Sequence, residues 1–194
     1  MANRDTPFGL RFVKHQAGGT PMRLERYRIA SAYDTSIGYG DPVTLVGTGR
    51  NIARGTAASA PFVGVFYGCS WTAANGEPKF SRYWPADTVT LGSADAVAYV
   101  VDDPFAIFEV QADEDVVEAD IGQHADLAFG TVDTVTGNGK TELDSSNIGT
   151  GDNVAILDIV RRDDNEVGVD NTKVWVMINE HEYRNAGANS FTEV

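Results

Sequence analysis

A chain of 194 residues that is 42% hydrophobic and 22% charged has the material for one sizeable buried core. Its formal net charge of −13 excludes a body that grips phosphate backbones, which would meet nucleic acid with repulsion. The charge is uneven: residues 1–30 hold six Lys/Arg against two acids, and the other 164 residues hold nine against 26.

Met1 to Asp5 opens no apolar h-region, so no secretory leader is read, and no apolar run reaches the 18 residues of a membrane span. Residues 1–30 string Pro7, Phe8, Leu10, Phe12 and Val13 between Gly9, Gly18, Gly19 and Pro21, without a sustained helical or strand period. The expectation is an extended, cationic N-terminal arm, with residues 31–184 as a β-rich body and 185–194 as a flexible tail. Asn3, Arg4, Phe8, Leu10, Arg11 and Phe12 are the candidate contacts of this arm with a neighbouring protein. Apolar anchors supply binding energy in such contacts, and rim cations tune orientation and rate.

Short β-type runs then follow at close spacing: 24–29, 43–46, 62–69, 97–101, 106–110, 125–129, 154–160 and 174–178. Gly40-Asp41-Pro42 and Asp102-Asp103-Pro104 mark strand starts, because proline cannot donate within a central ladder. Gly137-Asn138-Gly139-Lys140 reads as a hairpin turn with positive φ at Asn-Gly. Only 113–120 invites a helix, with acids early and Gly122 ending it within about two turns. Many short strands and scarcely any helix give an all-β fold, a single barrel-like or sandwich-like body.

Chemical motifs are sparse. Gly139-Lys140-Thr141 lacks the upstream glycine and following helix of a phosphate loop, and Gly47-Thr48-Gly49 with Gly55 lacks dinucleotide spacing. His15, His124 and His181 share no metal-ligand spacing with one another or with Cys69, the single cysteine, which sits in an apolar run as an inert thiol. Nine acids and no Lys or Arg lie between Val101 and Asp126, yet Val117 occupies the place of a required calcium ligand. That run reads as a solvated rim or as a surface accepting a neighbour's Arg4, Arg11, Arg23 or Arg26. Trp71 and Trp84 with Asn75 and Glu77 form the alternative candidate, a sugar-stacking platform. No catalytic, cofactor or metal site is assigned. An enzyme reading would need two carboxylates at glycosidase separation within a cleft.

Several segments carry a resemblance. Met1 to Arg11 (MANRDTPFGLR) resembles the start of small head proteins of tailed bacteriophages. Gly40-Asp41-Pro42-Val43-Thr44-Leu45, Phe62-Val63-Gly64-Val65, Asp102-Asp103-Pro104, Phe108-Glu109-Val110-Gln111, Glu142-Leu143-Asp144, Asp164-Asn165-Glu166-Val167-Gly168 and Trp175-Val176-Met177-Ile178-Asn179 continue it. The chain is similar in these segments to the cement or decoration proteins that coat phage capsids. The resemblance implies a β-rich structural protein of the virion, made in the host cytoplasm and sitting on the outer capsid surface. It implies the major capsid protein as partner and a dimer or trimer of this chain, without membrane or direct nucleic-acid contact. The alternative class is a carbohydrate-binding module or lectin-like adhesion protein.

Overall fold

Period-2 runs punctuated by glycine and proline fold here into sheets with no α-helix among the described residues, 3–56 and 61–184 of a computed structural model. The expected tail, 185–194, lies outside them. One sheet contains β1 (Arg11–His15), β8 (Ala106–Gln111), β13 (Lys173–Ile178), β12 (Val154–Ile159) and β9 (His124–Ala125), antiparallel and in that spatial order. The second contains β2 (Glu25–Ile29), β7 (Ala96–Val101), β5 (Gly64–Thr72), β3 (Pro42–Leu45) and β4 (Ile52–Arg54) in that order, with β6 (Pro78–Ser81) paired to the far end of β5. A separate hairpin joins β10 (Leu127–Gly130) to β11 (Lys140–Leu143). The body is all-β and sandwich-like, and the sheets of the described residues do not close into a barrel.

Two apolar clusters hold it. Leu10, Phe62, Val65, Val101, Phe108, Leu143, Ile156 and Val176 fill the space between the sheets. Tyr27, Ile29, Val43, Phe66, Trp84 and Val100 fill a second cluster on the opposite face of the β2–β7–β5–β3 sheet. Alternation produces this division directly: Val65 and Val101 point to one side, their neighbours Phe66 and Val100 to the other. Ile37 and Trp84, paired backbone to backbone, close loops over the second cluster.

Three expectations change. The arm is not separate from the body: Arg11–His15 is an edge strand, Glu25–Ile29 is another, and Leu10 is fully buried. The 24–29 run forms β2 as read, whereas the apolar residues around β1 find their order in distant partners, so no local pattern announced that strand. The 113–120 segment forms no α-helix, only a short 3-10 turn at Glu118–Asp120, because Val116 turns inward to the core and Asp120 bonds back to the Val117 N–H. The Asn138-Gly139 turn is also different. Positive φ falls on Gly137, and Asn138 and Gly139 instead pair with Tyr39.

Candidate docking surfaces

The N-terminal segment is seated on the body by polar bonds at one end and apolar packing at the other. The Asn3 amide donates to Glu166 O at 2.9 Å, and Glu166 N–H donates back to Asn3 Oδ1 at 2.7 Å. Thr6 N–H donates to the Gln111 side chain, and Leu10 N–H to Gly40 O at 2.8 Å. Gly9 crosses Gly40 closely enough that a Cβ on it would lie 2.8 Å from Gly40 backbone atoms, and its φ of +73° suits only glycine well. Phe12 packs edge-on against Phe108 at 6.2 Å between centroids, and its N–H donates to the Tyr67 hydroxyl. Of the six candidate contacts, Asn3, Leu10 and Phe12 therefore face their own body. Arg4 and Arg11 face solvent, with the Arg11 guanidinium 4.4 Å from the centroid of the half-buried Phe8 ring.

The acid-rich run does not converge. Glu109 is buried and accepts from both terminal guanidinium nitrogens of Arg162 at 2.8 and 2.9 Å. Asp102 accepts from the Tyr27 hydroxyl at 2.8 Å, Glu118 pairs with Arg161, and Asp113 accepts from Ser145 N–H. Asp103 lies 2.5 Å from His15 Nδ1, an in-chain meeting of the arm with the rim. Arg23 pairs locally with Glu25 instead. Among the described residues no three His, Cys, Asp or Glu side chains come together as a metal site.

Glu142 is the acid with the most altered chemistry. Burial pushes its carboxyl up to about 7, and the charges of Asp5 and Asp113 push in the same direction. It lies with Asp5, Thr6 and Phe8 around a shallow depression between the N-terminal segment and the β10–β11 hairpin.

The aromatic region divides into an inside and an outside. Trp84 is fully buried, with Trp71 edge-on at 5.5 Å, so the two rings offer no shared stacking face. Asn75 is engaged in its own turn, accepting from Glu77 N–H, and Glu77 pairs with Lys79 at 2.7 Å. What remains outside is mostly apolar, around a groove whose residues include Lys79 and Asp95. Phe80 on the β6 edge is 79% exposed, and Leu91 and Val89 are about half exposed. Trp71, Pro78, Phe80, Leu91 and Val97 line an open groove of about 440 Å³ beside it. Sequence reading missed this surface because β6 is four residues long and begins with proline, and its short alternation turns the apolar Pro78 and Phe80 outward.

Two buried groups complete the picture. Cys69 donates its thiol to Tyr83 O, and burial pushes that thiol up to about 12, which suits an inert core residue. His181 is fully buried, and burial together with Arg184 pushes its imidazole down to about 4.

No helix among the described residues is long and apolar enough to cross a membrane. No family profile, curated protein or solved structure matches the chain.

Proposed function

We propose that this chain is a structural virion protein, a cement or decoration protein that binds the outer surface of a phage major capsid protein shell and stabilises the head against internal pressure. The observation that carries the reading is the β6 face: a phenylalanine 79% exposed beside a mostly apolar groove. Contiguous exposed apolar surface of this kind suits protein docking better than turnover of a small molecule. The sequence resemblance supplies the partner class, and the outward-facing Arg4, Phe8 and Arg11 flank the N-terminal end as polar and aromatic contacts. Repetition over a shell multiplies each modest contact through effective concentration, by roughly 10²–10⁴-fold in avidity.

The lectin-like reading loses its main support with Trp84 buried, since a single half-buried Trp71 is left. No catalytic role is proposed.

The test is co-sedimentation with expanded capsids lacking the protein. Wild-type chain should pellet with the shells, and Phe80→Ser should reduce capsid affinity at least tenfold while leaving the circular dichroism spectrum unchanged. Undiminished binding by the variant would remove the β6 face from the proposal, and absence of binding by the wild type would remove the capsid.

A further inference from the structure

We propose that residues 3–15 are an exchangeable strand, and that their seat along β8 accepts the same segment from a second copy of this chain. The reasoning begins with where the segment makes its contacts. β1 belongs to the sheet built from β8, β13, β12 and β9, whereas β2, the next element, belongs to the other sheet. Its ladder partners are residues 106–109, and its other fixed points are Asn3 on Glu166, Leu10 on Gly40 and Phe12 on Tyr67. Lys14 adds a cation–π contact, its Nζ 4.7 Å from the Trp175 ring centroid on β13. Each of these contacts joins the segment to chain far away in sequence. None depends on residues 3–15 and the body being covalently joined by the particular link that follows.

That link is residues 16–24, and it is built to open. Apart from Gln16 N–H on Phe105 O, which extends the β1 ladder, its backbone bonds are a small turn: His15 N–H to Gly19 O and Gly18 N–H to His15 O. Gly18 and Gly19 hold that turn at φ of +85° and +102°, exposed, with no backbone or buried side chain packed against the faces a Cβ would occupy. Breaking the turn gives up its two backbone bonds and the exposed contact of the His15 ring with Pro21 O at 2.9 Å, for all of which water can substitute. Nine extended residues reach about 30 Å, enough to carry the segment to a body alongside. The exchanged dimer then has every seat contact of the monomer, and its population is set by concentration and by the strain of the link. Crowded placement of copies on a surface favours it, although the exchange is a property of the chain in solution and does not require a shell.

The first arm of the test strains the closed link. Gly18→Val together with Gly19→Val places β-branched residues at positive φ, which the straightened link relieves. The variant should dimerise at least tenfold more tightly than wild type by sedimentation equilibrium. Equal dimerisation of variant and wild type overturns the proposal. The second arm reads the route of the chain. Lys14→Cys with Ile107→Cys, opposed across the β1–β8 ladder, is oxidised in the valine background at high concentration. Covalent dimers on a non-reducing denaturing gel support exchange, and disulfides confined to single chains overturn it. Should the cysteine pair fail to fold, the sedimentation arm decides alone. Neither arm contains capsid, so failure here leaves the docking proposal standing, and the reverse.

Discussion

Arg54 donates through Nε to a carboxylate oxygen of Asp41 at 2.7 Å, and Asp41 is completely buried. The same carboxylate accepts from Thr141 Oγ1 and from Gly38 N–H, both at 2.8 Å, while Arg54 also reaches Gly130 O. One buried charge thus ties the start of β3, strand β4 and both strands of the β10–β11 hairpin. Removing one partner of such a pair leaves an uncompensated charge. Asp41→Asn is expected to lower stability by about 3–5 kcal/mol, read from urea denaturation. A loss under about 1 kcal/mol would show that the node is solvated.

Gly139 lies against this node. A Cβ built on it would sit 2.1 Å from Asp41 Oδ1, and one on Gly38 would sit 2.4 Å from Gly139 N. Gly139→Ala should therefore cost about 1–3 kcal/mol through overpacking, although alanine suits its backbone. The expected signature is non-additivity with Asp41→Asn, since both act on one carboxylate. Strict additivity in a double-mutant cycle would contradict the contact.

Leu10 and Phe80 make a paired prediction. Leu10 is fully buried between the sheets and Phe80 is 79% exposed. Leu10→Ala should destabilise the whole body by about 2–5 kcal/mol. Phe80→Ala should stay within about 0.5 kcal/mol of wild type. Equal and small effects in thermal or urea melts would mean that the N-terminal segment is not seated on its own body.

The pH response has two opposed parts. Glu142 is raised from 4.5 to about 7, so the fold favours its protonated form. That contribution is complete below pH 4.5 and is lost as pH rises through about 7. His181 is lowered from 6.5 to about 4, so the fold favours its neutral form. Its contribution is complete above pH 6.5 and is lost as pH falls through about 4. Glu142→Gln should flatten the decline between pH 4.5 and 7 and leave the acid limb intact. A urea-midpoint profile that keeps its neutral-side slope in this variant would assign the slope elsewhere.

How much of this was legible in the residues depends on whether the signal was local. The strands at 97–101, 106–110 and 174–178 announced themselves through β-branched runs, and the all-β class followed from them. Strand 125–129 was read as one element, but Asp126 interrupts it by accepting from Asp152 N–H, splitting β9 from β10. β1, β4, β6 and β11 are three to five residues long, and their pairing partners, not their own pattern, make them strands. For the docking surface, aromatic content pointed to the right region, but of the two candidate tryptophans only Trp71 lines the groove. Trp71, Trp84 and Phe80 look alike in composition, and only the fold decides that Trp84 is inside and Phe80 outside. The cationic character of residues 1–30 was real, but charge alone could not reveal that Leu10 and Phe12 had a groove waiting in the same chain.

Cys69 is the chain's sole sulfhydryl, and it is sealed in the core on β5. Reagents that seek free sulfur should therefore find the native protein silent. A single cysteine introduced at Val135, a turn residue 93% open to water, would take one fluorophore per molecule without any need to rewrite the interior. Attachment, release and copy number could then be counted by light on individual particles.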